Sequence, residues 1–516
     1  MGVTKIIRVL SIIAVLFVAV ALSAILLGCG NNKVTVTFRA VGEKDIVMTV
    51  EYDGSITPPE VPEKVGNIGK WDRKNFKNIK CDLIVNAVYE TEGLEYIRIA
   101  SGYEVKKGNM SPETTELFIP EKHYTLPVTS VGYEAFFLCE EITYISLPST
   151  VTNIGKKAFC DCNFKDINLN GVKNIGEKAF SGSGLTSVTI PSGVNIGDIV
   201  FATCQNLTSV TLPDDMEVIV KNMFAGCKSL ETITLPDSIT SIGDNAFSGT
   251  ALKSIELPKG LTSFGYNVFT RCSSLEYIEM PACVKDLNEK EFQNCTSLKT
   301  IILPDHITSI GWAEFYMCTS LETITLPDGI TSIKDNAFEG CTSLKTITLP
   351  NRITSIGKGA FLNCTSLKSI TIPGGVKEIP REAFLGCTSL ESITLPDVTK
   401  IGYKAFEGCT SLQSITIPDS VIDIGHHAFK GCTSLASINI PDGVTYIYAS
   451  TFAECTSLKT IVIPASVVHI DKTAFADCPN LKTIYVNGRP QKPIGFADGW
   501  SGNATVVWDT DLVNSE

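Results

Sequence analysis

Residues 341–361 read Cys341-Thr342-Ser343-Leu344-Lys345-Thr346-Ile347-Thr348-Leu349-Pro350-Asn351-Arg352-Ile353-Thr354-Ser355-Ile356-Gly357-Lys358-Gly359-Ala360-Phe361. Ile347 and Leu349 alternate with Thr346 and Thr348, the period of two that marks a short strand. Leu344 leads into that strand. Pro350 ends it, because proline has no N–H to give a continuing ladder. Ile353 and Ile356 turn inward again, Gly357 permits a tight turn, and Ala360 and Phe361 close the far side. The unit has an apolar spine and nothing of its own to cover it.

The same unit returns along most of the chain. Phenylalanine stands at 136, 159, 180, 201, 224, 247, 269, 292, 315, 338, 361, 384, 406, 429, 452 and 475, a column of 16 spaced 21–23 residues apart. Self-similarity at that period predicts a solenoid in which each coil buries its spine against its neighbours. Such a stack escapes the size limit of a single globular core, so 516 residues raise no difficulty. The net charge of −12 argues against nucleic acid as a partner, and against general adhesion to anionic lipid.

Cysteine follows the phenylalanine by three residues in 14 of the 16 units, with Ser183 and Thr250 in the other two. Cys29, Cys81, Cys160 and Cys283 lie outside this column. Many cysteines in an exported chain would ordinarily suggest disulfides. Here each falls at one coil position, beside a buried Phe and ahead of a buried Leu, and free cysteine behaves as a small buried hydrophobe. Coils about 5 Å apart leave occasional bridges geometrically possible, but replacement by Ser and Thr favours a column of packed thiols. Single cysteines in a row make no closed metal site.

The pattern Leu-x-x-Ile-x-Leu-Pro-x-x-Ile-x-x-Ile-Gly-x-x-Ala-Phe-x-x-Cys-x-x-Leu resembles the BspA-like leucine-rich repeat. The resemblance covers roughly 115–486, with lead-in segments from Leu94 onward. It implies a mostly β protein with a curved, parallel-strand solenoid over 91–486, exported or held at a cell surface, and linked to adhesion or host interaction. Gly495 to Leu512, with Trp500 and Trp508, reads as a terminal strand in a C-terminal cap, 487–516, such as an open stack needs. Residues 33–90 lack the period. Lys33–Ala40 and Asp45–Tyr52 alternate as strands, Asp53-Gly54 is a turn, and Trp71 and Leu83–Glu90 follow. This stretch resembles a Listeria–Bacteroides repeat, a small β-grasp-like module of surface proteins.

Lys5 and Arg8 precede the apolar run Val9–Leu27, and Leu26-Leu27-Gly28-Cys29 resembles a bacterial lipobox. Residues 1–29 then form a lipoprotein signal, with Cys29 as the lipid attachment point. The alternative is an uncleaved anchor, since the 19-residue run Val9–Leu27 is long enough to span a bilayer. Either way the bulk of the chain is expected outside the cytoplasm and tethered to the membrane.

Chemistry is sparse. The five histidines are scattered among the repeats, with His426 and His427 at a surface turn, and no nucleophile, phosphate loop or metal-ligand pair stands out. Neither enzyme activity nor a cofactor is expected. The useful signal is departure from the pattern. Outward strand positions form columns of Thr and Ser, as at Thr346 and Thr348 or Ser369 and Thr371, which strand preference alone explains. Three consecutive units depart: one carries Glu256, the next Glu276, Tyr277 and Glu279, the third Ile302. Neighbouring strands would join these into one patch with the amphipathic aromatic and exposed apolar atoms of an interface centre. Val462 with Tyr485, and Tyr144, make weaker patches. The reading is a non-enzymatic surface protein whose partner is a protein or glycan on a host, matrix or neighbouring cell. The alternative is a structural envelope spacer with no specific ligand.

Overall fold

A computed structural model describes residues 33–508, apart from 285, 286, 288 and 490. The export segment with Cys29, the Val9–Leu27 run and the last eight residues of the expected cap, 509–516, lie outside the described residues. Strands and turns make up the described chain, with no α-helix. Two compact units divide it: 33–128 with Glu141–Pro148, and Thr129–Glu140 with Ser149 onward.

The first unit opens with β1 (Lys33–Arg39), β2 (Ile46–Glu51), β3 (Asn67–Trp71) and β4 (Leu83–Thr91). They form one mixed sheet in the order β2-β1-β4-β3, with β1 and β4 parallel in the middle and antiparallel pairs outside. The alternation of β1 sends Val34, Val36 and Phe38 into a core shared with Val50, Phe76, Ile79 and Val85. Trp71 meets Phe38 edge-on at 4.9 Å and donates its indole N–H to the Pro59 carbonyl at 2.7 Å. The sequence puts a boundary after residue 90, but this compact unit runs on to Val128. The buried Thr91 hydroxyl donates to Asn67 Oδ1 at 2.6 Å and accepts the Phe118 N–H at 2.8 Å. Glu116–Phe118 in turn pairs in parallel with Tyr144–Ser146. The first repeat-like strands are therefore bonded into the first unit.

The second unit is the solenoid, and each coil has three sides. One side is the expected strand: Thr346–Ile347 pairs in parallel with Thr323–Ile324. A second side, read in the sequence only as inward-pointing isoleucines, is also a strand ladder, with Ser355–Ile356 on Ser332–Ile333. The third side turns sharply and holds the phenylalanines. Their rings stack in unbroken succession from Phe136 to Phe475, with centroids 5.3–6.2 Å apart and planes within 15° of parallel. Offset stacking of this kind adds to the burial of each ring.

The left-handed positions are not where the sequence put the turn. Gly357 has no positive φ; a Cβ there would lie 2.3 Å from the Asp335 nitrogen of the preceding coil, so close approach is what it permits. The left-handed residues flank each phenylalanine from Phe136 to Phe452 two positions either side, as Asn336 (φ 57°) and Gly340 (φ 74°) around Phe338; Phe475 has one only after it, at Asp477. Asn and Gly fit that region, and β-branched residues do not. Ile199 (φ 64°) and Thr203 (φ 59°) both occupy it in one coil.

Hydrogen bonds run in opposite directions on different sides. On the ladders a coil donates to the preceding one: Thr354 N–H to Thr331 O at 2.9 Å, Gly357 N–H to Ile333 O at 2.7 Å. On the third side it donates to the following one: Asn336, Phe338 and Gly340 N–H to Lys358, Ala360 and Leu362 O, all at 2.8 Å.

All 17 described cysteines are free, and the column is buried except for the half-buried Cys478. The thiols also do more than fill space. Cys341 donates to the Phe315 carbonyl of the preceding coil at 3.2 Å, and Cys364 and Cys387 do the same to Phe338 and Phe361. Burial pushes these thiols up, Cys387 to about 12 and Cys272 to about 11, so they stay protonated and inert.

Candidate ligand-binding site

On the first ladder, parallel register sets Tyr277 opposite Thr300 and Glu279 opposite Ile302. A bridge between Ser254 and Tyr277 carries the same register back one coil, which aligns Glu256 with Glu279. Strand alternation turns these residues outward while Ile278 and Met280 stay buried in the spine. Tyr277 is 40% and Ile302 46% exposed, where the regular columns present Thr and Ser. Tyr277, Glu256, Glu279 and Ile302 are thus brought together on two adjoining columns.

Glu276 stands apart. Its carboxylate is 2.7 Å from Lys299 Nζ, and that hydrogen bond and charge hold its carboxyl below the usual range. The same coil position makes Lys253–Glu231 and Lys345–Glu322 pairs at the same distance. Glu276 therefore belongs to a repeating inter-coil bridge, while Glu256 and Glu279 make no ion pair among the described residues. Two like charges on neighbouring strands repel each other and favour a cationic group across an interface.

The weaker sites differ in kind. Val462 sits opposite Tyr485, and Tyr485 opposite Val507, in the three-stranded sheet that ends the stack with Thr505–Trp508. Tyr144 lies in the first unit, its ring packed on Phe118 at 5.5 Å. His426 stacks on Tyr448 at 4.5 Å. His427 occupies a left-handed position at φ 58°, and burial lowers its pKa. Among the described residues no group of three or more His, Cys, Asp or Glu could hold a metal ion.

Sequence reasoning missed two buried acids. Glu291 and Glu314 precede Phe292 and Phe315, where most coils carry Ala, and both are fully buried. Glu291 Oε1 accepts the Phe269 N–H at 3.1 Å; its other oxygen, and both oxygens of Glu314, have no partner among the described residues. Burial pushes Glu291 up to about 8, against the pull of the Phe269, Val268 and Asn267 N–H groups, and raises Glu314 well above the ordinary carboxyl range. Two consecutive Ala-to-Glu departures were the signal available in the sequence.

The family model described as "BspA type Leucine rich repeat region (6 copies)" matches residues 115–230, 194–312, 285–412 and 377–492. Among solved structures, a leucine-rich repeat protein from Bacteroides ovatus ATCC 8483 is 28% identical, covering 81% of this chain and 98% of its own, with a TM-score of 0.49. A leucine rich cell surface protein from Faecalibacterium prausnitzii A2-165 is 24% identical over 78% of this chain and 95% of its own, TM-score 0.37. The pneumococcal vaccine antigen PcpA is 20% identical over 81% and 98%, TM-score 0.43. Comparison with curated proteins finds no match.

Proposed function

Because the chain belongs to the BspA-type leucine-rich repeat family, we propose that it acts as a non-enzymatic cell-surface protein whose solenoid binds a macromolecular partner. The binding centre is Tyr277 with Glu256, Glu279 and Ile302, and the partner is a protein or glycan on a host, matrix or neighbouring cell. One observation carries the reading: on a ladder of outward Thr and Ser, these coils expose an aromatic ring and an aliphatic side chain beside two acids that make no ion pair among the described residues. An amphipathic ring at the centre of a patch, rimmed by charge, is the usual make-up of an interface hot spot. The two acids favour a partner surface that brings a cation to meet them.

The test restores the regular ladder. Tyr277→Thr with Ile302→Thr gives the patch the residues of its neighbours, so the spine of Ile278 and Met280 is untouched. Screened as displayed protein against matrix proteins, mucins and bacterial surfaces, this variant should lose roughly tenfold or more in affinity for whatever the wild type binds. The control, Thr348→Ala with Thr371→Ala on the regular columns, should keep it. No partner anywhere in such a screen leaves the spacer reading in possession.

The tether belongs to the same proposal. Cys29 carries the lipid, so labelled palmitate should enter the wild-type chain and not Cys29→Ala. Failure of palmitate to enter the wild type favours the Val9–Leu27 span.

A further inference from the structure

On the third side of the coils, the residue after the stacked phenylalanine sets the depth of the surface. It is Phe137 in one coil and Tyr316 much further along, but Cys160, Ser181, Ala202, Ala225 and Ser248 in five successive coils between. Small side chains in a row leave a trough of about 1050 Å³ running across the coils. Glycines deepen it: Gly226 and Gly249 stand in its lining at left-handed positions, where Thr203 and Arg271 in the flanking coils carry side chains.

The walls are basic in a chain whose net charge is −12. Lys157, Lys178, Lys228 and Arg271 line the trough against the single acid Asp161. Glu134 holds Lys157 at 2.8 Å, but Lys178, Lys228 and Arg271 stand in no ion pair among the described residues.

Two of these cations are placed at a local cost. Arg271 sits at φ 63°, at a position that Gly or Asn fills in most coils. Lys228 replaces the threonine that elsewhere donates its hydroxyl to the preceding coil, as Thr319 and Thr342 do. Both departures put positive charge on the same trough. Three hydroxyls of the lining have their hydrogens committed: Ser181 and Thr203 donate to the Ala202 carbonyl, and Ser248 to that of Thr270. Their oxygens remain only as acceptors. A fitting ligand therefore brings negative charge for the walls and hydroxyl donors for the floor. It also repeats in step with the coils, about 5 Å apart, which is close to the length of one sugar unit in a chain. An extended peptide repeats at about 3.3 Å and falls out of step.

We propose that this trough is a second binding site, for an extended acidic glycan such as a chain of uronate units lying across the coils between Phe137 and Arg271. It rests on the reading of the chain as a binding protein but uses a different side of the solenoid from Tyr277.

The experiment measures binding of a fluorescent galacturonate oligomer to the full-length protein. An uncharged galactan, a polyglutamate peptide and an oligothymidylate of matched length are the comparisons. The galacturonate alone should bind, and more weakly as salt rises. Ala225→Leu with Ser248→Leu fills the trough with a side chain that Leu362 and Leu385 already place at that coil position. Lys228→Thr with Arg271→Asn restores the repeat pattern. Each pair should lower the affinity roughly tenfold or more without lowering the unfolding temperature. Tyr277→Thr should leave it unchanged, which separates this site from the ladder patch. No galacturonate binding by the wild type overturns the proposal, as does equal binding of peptide or oligothymidylate, or binding that survives the filled trough.

Discussion

Replacing Glu291 by Gln should remove a pH dependence that the wild-type solenoid carries in its interior. The folded chain holds this carboxyl at about 8, against 4.5 for a free glutamate. Below the unfolded value both states are protonated and the group takes nothing from stability. As pH rises the unfolded chain releases its proton first, so stability falls steadily until the folded pKa is reached. Between pH 5 and pH 8 the loss is about 3 kcal/mol, at roughly 1.4 kcal/mol per unit over most of that interval. Glu314 is shifted in the same direction and adds to the loss. The charges that bear on the pair reinforce it: Asp244 raises Glu291, and Glu291 and Glu289 raise Glu314. Glutamine keeps the volume and the oxygen that accepts the Phe269 N–H, yet cannot ionise. Repeat stacks need not unfold as one unit, so the assay is native-state hydrogen exchange of amides from Phe269 to Phe338 at pH 5 and pH 8. After correction for intrinsic exchange, the opening free energy of the wild type should fall by about 3 kcal/mol or more across that range. That of Glu291→Gln with Glu314→Gln should stay nearly level. Equal pH dependence in both proteins would refute the reasoning.

Thiol reagents should label the exposed Cys81 quickly in the folded protein and reach the buried column only after denaturation; early modification of Cys341 or Cys364 contradicts the fold described. Cys364→Ala removes the thiol bond to the Phe338 carbonyl, which keeps only the Cys341 N–H, and opens a small void, so it should cost about 1–2 kcal/mol by urea unfolding, whereas Cys364→Ser should cost less, as Ser183 and Thr250 stand in that column already. Ile199→Asn relieves a β-branched residue in the left-handed region and should stabilise its coil by about 1 kcal/mol, read as slower amide exchange there.

The spine of the coil was legible because its chemistry repeats: Leu, Ile, Pro and Phe at fixed offsets specify a strand, its end and a buried ring. The second ladder was not, because two residues such as Ser355-Ile356 are too few to show an alternation. The left-handed positions were half visible in Asn222, Asn245, Asn267 and Asn336, but Lys157, Lys178 and Ile199 at the same offset hide the rule. Geometry alone could reveal what Glu276 does, since its partner Lys299 lies a full coil away. The patch around Tyr277 could be picked out because it breaks a pattern. The trough could not be read from any single residue, since it is made by side chains being small in succession. Glu291 and Glu314 break a pattern too, but on the buried side, at a position whose inward direction the sequence alone does not reveal.

The opposed directions of hydrogen bonding have a consequence for how such a chain can change. Every coil is at once a donor and an acceptor to both neighbours, on different sides of its circuit, and so no coil is privileged within the run. Removing one whole unit, or copying it, leaves a junction with the same complement of bonds as before. Ring meets ring, thiol meets carbonyl, and strand meets strand. A shift of a few residues would break all of these together. The length of the protein is therefore adjustable in whole coils of 21–23 residues, each changing its reach by about 5 Å. Surface sites such as the trough would grow, shrink or move along the axis by the same steps.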